Sequence, residues 1–346
     1  MQISNQLISD DVLGKFAYES PDGDLFELYT LEKQDMLNSF ADDVSEGLSA
    51  TQKFLLPKYF YDTEGSILFD QITATPEYYP KRVEKQLLRS IAQDLRQHTG
   101  EIDSLIELGS GTSEKTHELL SALRTSGKAL RYVPIDVSDI IIESANSLIE
   151  RYTDLKITGI IADYEAGLKV IPFLDEKHKL VAFLGSSIGN LKRTERNLLL
   201  EQINDALDPG DYVLIGFDLV KDINILNAAY NDKFGVTRDF NLNLLKRINR
   251  ELGGAFNLNN FEHHAYFNEK ASRIEMHLIS RVEQTVSIEE LGREFTFSAG
   301  ESIHTENSYK FSDQMIQQMI SSAGFRHIRT WKDPSAYFAL TLIRVH

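Results

Sequence analysis

The stretch Ser104 to Ser113 reads S-L-I-E-L-G-S-G-T-S, and E-K-T-H-E-L-L-S-A-L follows it directly. A short, mostly apolar run ends in a glycine pair, and the residues beyond it carry leucines at helical spacing. A strand that stops in glycines and turns into a helix is a nucleotide cradle. Without side chains, Gly109 and Gly111 let the chain turn sharply and let a ligand approach the backbone, while the helix start offers N–H donors. The third glycine of the dinucleotide fingerprint G-x-G-x-x-G is missing, and Glu114 stands in its place. That weakens a pyrophosphate reading.

Working outward, the run I-D-S-L-I-E-L is followed by R-Y-V-P-I-D-V, K-I-T-G-I-I-A-D-Y, K-L-V-A-F-L-G-S and D-Y-V-L-I-G-F-D-L. Ser138 to Tyr152 and Arg193 to Leu207 lie between them with apolar residues at helical spacing. Five buried strands with helical crossovers predict a parallel α/β sheet of the Rossmann-like type. Several acids stand at strand ends: Glu107, then Asp136, then Asp163 with Tyr164. Such a set suits a ligand with an amino-acid end and a ribose, as S-adenosyl-L-methionine has, although the glycine pair by itself fits other nucleotides equally. In this reading Asp136 accepts from ribose hydroxyls, Asp163 and Tyr164 hold the adenine, and Lys115 meets a carboxylate. Asp136 before Ser138 also reads as an ordinary helix cap, and Lys115 as a surface lysine.

With 346 residues, 42% hydrophobic and 25% charged, the chain is long enough for one elaborate domain or two. A formal charge of −16 with no basic stripe argues against nucleic acid or an anionic membrane as partner. The absence of cysteine removes disulfides, thiolate ligands and cysteine nucleophiles. The start, M-Q-I-S-N-Q-L-I-S-D-D, does not read as a signal peptide. No run is long and apolar enough to span a bilayer, so a cytoplasmic location and a monomer are expected.

After Asp218 the rhythm breaks. A helical stretch, Lys221 to Leu252, precedes the alternating runs I-E-M-H-L-I-S-R-V and F-T-F-S-A-G-E, which predicts an insertion with its own small sheet. The α/β pattern resumes at Ser312 and closes on H-I-R-T-W and F-A-L-T-L-I-R-V, an expected antiparallel edge hairpin like that of the class I methyltransferase sheet. The first hundred residues show no comparable strand series.

Four candidate features stand out. Asn190 ends F-L-G-S-S-I-G-N at the crevice side of the fourth strand, where it reads equally as a turn residue or a site residue. Tyr230 and Asn231 follow an apolar helix. Glu306 and Ser308, two apart in T-E-N-S-Y-K-F, share one strand face, either as a solvated edge or as a polar surface for a small ring such as an imidazole. Met276 reads as core or pocket wall. His263 and His264 read as surface residues, and no metal site is expected because no further ligands are spaced to converge.

Several segments together resemble the histidine Nα-methyltransferases of ergothioneine biosynthesis: L-P-K-Y-F-Y-D-T-E-G-S-I-L-F-D-Q-I-T at 56 to 73, P-E-Y-Y-P at 76 to 80, E-L-G-S-G-T-S-E-K-T at 107 to 116, F-L-G-S-S-I-G-N, D-L-V-K-D and T-E-N-S-Y-K-F. The resemblance runs from about residue 50 to the end, and Ser187 stands where the family pattern has Thr. It implies a class I methyltransferase domain at 83–221 and 312–346, with an α+β substrate lobe at 1–82 and 222–311. It implies that Tyr61, Gly109, Lys115, Asp136, Asp163 and Tyr164 hold S-adenosyl-L-methionine. Tyr79, Asn190, Tyr230 and Thr237 would surround the amine and carboxylate of L-histidine or its mono- and dimethylated forms, with Tyr78 beside Tyr79 as the other candidate. Met276, Glu306 and Ser308 would border the imidazole, and Tyr61, Asn190 and Tyr230 would act at the reacting amine. Methylation of another aromatic amino acid such as tryptophan, and a non-catalytic adenosylmethionine-binding module, are the competing expectations.

Overall fold

The computed structural model describes residues 16–22, 25–31, 33–124, 128–152 and 154–346. The N-terminal residues read above against a signal peptide lie outside these. The chain divides into two compact units, one of 1–32, 80–219 and 311–346, the other of 33–79 and 220–310.

The strands of the first unit are β1 (Phe16–Asp22), β2 (Phe26–Leu31), β3 (Ser104–Leu108), β4 (Leu130–Asp136), β5 (Leu155–Ile161), β6 (Lys179–Phe183) and β7 (Tyr212–Asp218). Five further strands follow in the second unit, and the chain returns to the first with β13 (Arg326–Lys332) and β14 (Phe338–Arg344). The first unit forms a nine-stranded sheet ordered β1-β2-β5-β4-β3-β6-β7-β14-β13. Pairs from β2 through β7 are parallel, while β14 lies antiparallel between β7 and β13. The five strands expected from the sequence and the closing hairpin are all present.

β3 and β6 are buried at every position, as they must be when crossover helices cover both faces. Leu105, Tyr132, Ile157, Leu180, Leu214 and Leu340 belong to one core cluster, each large apolar side chain contributing about 1.5–3 kcal/mol on burial. The helix Pro80–Thr99 presents Leu87, Leu88, Ile91 and Leu95 to it, the 3.6-residue spacing of an amphipathic helix.

One boundary differs from expectation. Residues 16–31 were expected in the substrate lobe, but β2 runs parallel to β5 and extends the sheet, with β1 antiparallel at its edge. The reason lies in F-E-L-Y-T-L: Phe26 and Leu28 are buried in the sheet's core cluster.

The second unit carries two antiparallel sheets. One is ordered β12-β9-β8, from β8 (Phe261–Asn268), β9 (Arg273–Ser280) and β12 (Ser302–Tyr309); the other pairs β10 (Gln284–Ile288) with β11 (Arg293–Phe297). The helical stretch after Asp218 is two helices, Ile223–Ala229 and Val236–Leu252. The break is stabilised by Asp232, whose carboxylate accepts from the Val236 and Thr237 N–H groups at 3.0 and 2.8 Å. Among the described residues, no helix is long and apolar enough to cross a membrane.

Candidate active site

In the first unit, the strand-to-helix turn after β3 has left-handed backbone at Gly109 (φ 69°), Gly111 (φ 49°) and Ser113 (φ 53°). A Cβ on Gly109 would stand 2.8 Å from the Tyr164 hydroxyl, whereas one on Gly111 would meet nothing within 4 Å. The first glycine is therefore needed for close packing and conformation, and the second faces open space where a ligand can approach the chain.

Asp136 at the end of β4 accepts from Gly111 N at 2.9 Å and from Ser138 N at 3.0 Å. One oxygen thus ties the glycine turn to β4 and the other closes a local turn at Ser138; the helix-cap reading does not hold, because the following helix, Ile140–Arg151, has Asp139 at its N-cap position. Burial pushes its carboxyl up, and those N–H groups draw it back. Tyr164 feels the same Asp136 charge, and burial raises its hydroxyl well above the ordinary range. Gly109, Asp136 and Tyr164 are thereby brought together. Asp163 is exposed, and one of its oxygens caps the short helix Tyr164–Leu168 through Ala166 N at 2.9 Å. These groups fit adenosylmethionine: open space before Gly111, with acids at the ends of two neighbouring strands.

One expectation is corrected here and one rival reading is set aside. Glu107 is no ligand acid but a buried anchor, accepting from Thr116 Oγ1 at 2.5 Å and the Tyr132 hydroxyl at 2.7 Å. Lys115 is no isolated surface lysine, because its ammonium pairs with Glu84 at 2.7 Å and lies 3.2 Å from where a Gly185 Cβ would be.

Sequence reading missed Glu84 altogether. It is fully buried, and its other oxygen accepts from Gly185 N at 2.7 Å. One carboxylate on the helix Pro80–Thr99 thus joins the turn after β3 to the turn after β6. Lys81 and Lys85 of the same helix hold Glu114, the residue in the missing glycine's place, and keep its carboxyl down at about 2. An amphipathic helix with a glutamate on its apolar face was the available signal.

Asn190 ends the turn Ser187–Asn190 and is half-buried. The left-handed residues of this loop are Gly185 (φ 75°) and Ser186 (φ 56°) rather than Asn190, so the turn itself does not require an asparagine there.

In the second unit, Glu306 of β12 stands directly across from Met276 of β9, and Ser308 from Ile274. A bulge between His304 and Glu306 sets this register. Glu306 and Ser308 are buried rather than a solvated edge. The Tyr230 hydroxyl donates to Ser308 Oγ at 2.7 Å. Lys310 adds what the sequence did not suggest: a lysine with no exposure, donating to Ser308 Oγ at 2.8 Å and to the Tyr230 hydroxyl at 3.1 Å. Burial raises the Glu306 carboxyl to about 7, with the Lys310 charge pulling the other way. Among the described residues, no side chain hydrogen-bonds the Glu306 carboxyl. Ser308, Tyr230 and Lys310 therefore form one hydrogen-bonded cluster, with Glu306 two residues along the same strand face and Met276 across from it.

Of the remaining expected site residues, Tyr78 is in contact with a member of this cluster. Tyr78 lies edge-on to Tyr230 and to Phe69, while the Tyr79 hydroxyl accepts from Lys221 at 2.6 Å. Thr237 is buried at the start of the helix Val236–Leu252. Tyr61 sits edge-on to Phe69 and Phe240. His263, expected at the surface, instead bonds the Asn241 amide at 2.9 Å and the Tyr230 carbonyl at 3.0 Å.

The strand order and the glycine turn of the first unit define a class I S-adenosylmethionine-dependent methyltransferase. The chain belongs to the histidine-specific, SAM-dependent methyltransferase family, whose pattern matches residues 40–345. It is 45% identical to the histidine N-alpha-methyltransferase of Mycolicibacterium smegmatis, covering 87% of this chain and 93% of that protein. Ergothioneine biosynthesis protein 1 of Neurospora crassa is 32% identical over 80% of this chain and 32% of its own length. An L-tryptophan methyltransferase of Psilocybe serbica is 29% identical over 83% of this chain and 87% of its own length.

Proposed function

We propose that this protein transfers three methyl groups from S-adenosylmethionine to the α-amine of L-histidine, giving Nα,Nα,Nα-trimethylhistidine (hercynine), a step of ergothioneine biosynthesis. The observation that carries the histidine assignment is Glu306, a buried carboxyl with no hydrogen-bonding side chain among the described residues, directly opposite Met276 and two residues from Ser308. An imidazole ring supplies what this cluster lacks, an N–H for the carboxylate and a second polar atom for the hydroxyl.

When bound, the cofactor supplies an electrophilic methyl on a sulfonium centre. Gly109, Gly111, Asp136, Asp163 and Tyr164 would hold its nucleoside half, and Lys115, steadied by Glu84, its carboxylate. The chain's task is to hold a neutral amine in line with that methyl. A free α-amine titrates near 8, so a neutral fraction exists at pH 7. We assign Asn190 and Tyr230 to the substrate carboxylate, and the Tyr61 hydroxyl to the amine and its departing proton. Of the adjacent pair, Tyr78 fits the substrate side better than Tyr79, because it packs on Tyr230 while Tyr79 is engaged by Lys221. We take the protein to act as a cytoplasmic monomer, which size-exclusion chromatography with light scattering checks for oligomeric state.

The test is mass spectrometry of histidine, tryptophan and tyrosine, each incubated with the protein and S-adenosylmethionine. A gain of three methyl groups on histidine alone is expected; trimethylation of tryptophan instead would overturn the roles of Glu306 and Ser308. Replacing Glu306 by Ala should weaken histidine use far more than S-adenosylhomocysteine binding, and equal losses would count against the assignment.

A further inference from the structure

The sheet β12-β9-β8 has a second face. Opposite the Glu306 side, Glu275 and His277 of β9 project together, two residues apart on one strand, and His304 of β12 is the direct cross-strand neighbour of His277. The two imidazoles lie 4.8 Å apart, within 19° of parallel. One ligand atom from each of Glu275, His277 and His304 can be chosen so that all lie within 4.8 Å of one another.

The hydrogen bonds around these rings leave a donor atom over. His277 Nε2 is 3.3 Å from Glu275 Oε2, and His304 Nε2 is 3.0 Å from the Glu306 carbonyl. Both acceptors place the proton on Nε2, which leaves Nδ1 of each ring as a lone pair. His277 Nδ1 is buried and has no hydrogen-bond partner among the described residues, a cost that calls for a ligand. A histidine whose other nitrogen donates to a carboxylate or a backbone carbonyl is the arrangement that orients metal-binding imidazoles.

We propose that this face binds one divalent transition-metal ion of the zinc and nickel class through Nδ1 of His277 and of His304, with the Glu275 carboxylate as the group orienting His277. Arg273 bears on the choice of ion. Its guanidinium holds Glu275 Oε1 at 2.8 and 2.6 Å, while Tyr266 donates to Oε2 at 2.7 Å. A fixed positive charge beside the site disfavours hard ions held by charge alone, such as magnesium or calcium, and leaves those that gain chiefly from imidazole nitrogen. Sequence spacing concealed the site because the histidines lie 27 residues apart, on two strands that only the sheet brings together. Bound metal would also fix His304, the residue at the bulge that turns Glu306 to the other face.

The experiment is isothermal titration of the tag-free, chelator-stripped full chain with zinc, nickel and magnesium chlorides. One saturable site for zinc or nickel and none for magnesium is expected. His277→Ala and His304→Ala should each weaken it roughly tenfold or more, while His98→Ala, in the first unit, leaves it unchanged. Circular dichroism and the urea midpoint, measured in parallel, confirm that each variant is folded; a variant that fails this check is replaced by the corresponding Asn substitution. Absence of zinc and nickel binding, or binding that survives in both folded histidine variants, overturns the proposal.

Discussion

The glycine turn of the first unit and the Glu306 cluster of the second treat buried charge in opposite ways. In the first, each acid near the glycine turn is answered by a protein partner. Glu84 is met by Lys115 and Gly185 N, Asp136 by two backbone N–H groups, and Glu107 by two hydroxyls. In the second, Glu306 is buried and accepts no side-chain hydrogen bond among the described residues, while Lys310 donates to Ser308 and Tyr230. A closed set of partners makes a rigid frame, which suits a cofactor that is the same in every cycle. An unanswered carboxyl leaves free energy to be gained from one particular ligand, and a site built this way rejects analogues that leave its polar group unpaired.

The contrast breaks most readily at Glu84. Its replacement by Ala strands the Lys115 charge and the Gly185 N–H, and should cost about 3 kcal/mol of stability, the low end for a broken buried pair because Lys115 is partly exposed. A urea midpoint shifted by the equivalent of under 1 kcal/mol would show that the frame does not depend on it. Next comes Lys310→Met, which removes a buried cation and keeps an apolar chain of similar length. Stability should hold or improve, whereas kcat/KM for histidine falls about tenfold to a hundredfold, the worth of lost hydrogen bonds from a charged group. Unaltered histidine kinetics would make Lys310 a packing residue only.

A smaller effect is expected at Gly109. An alanine there must adopt φ near 69° and displace the Tyr164 hydroxyl, so S-adenosylhomocysteine should bind about tenfold more weakly, in line with the 1–2 kcal/mol penalty of left-handed backbone. Affinity within a factor of two of the parent would mean that the turn relaxes freely. The smallest is a slope. Glu306 holds its proton in the folded protein up to about pH 7, against 4.5 for the ordinary carboxyl. The folded state thus binds more protons than the unfolded chain between those values, and stability falls as pH rises from 4.5 to 7. Glu306→Gln should lose this part of the pH dependence in chemical denaturation; parallel curves for the two proteins would place the carboxyl back in the ordinary range.

The central sheet and the cofactor turn were legible because their signals are local. Apolar runs, their spacing and a glycine pair at a strand end need no knowledge of distant residues, and the five central strands and closing hairpin followed from them. β1 and β2 escaped notice because one short alternating run, F-E-L-Y-T-L, looks alike in a lobe or at a sheet edge until β5 is there to pair with it. Glu306 and Ser308 could be placed on one face from their spacing, but their burial could not.

The sequence by itself determined the class of sheet, the place where the cofactor turn falls and, through several quoted segments, the family. Tertiary structure alone decided which charges are answered. Glu84 reaches Lys115 across 31 residues and Gly185 across 101, and Lys310 reaches Tyr230 across 80. The physical reason is that desolvation and partner geometry, which settle whether a buried group is a strut or a binding contact, arise from chain segments that only folding brings together.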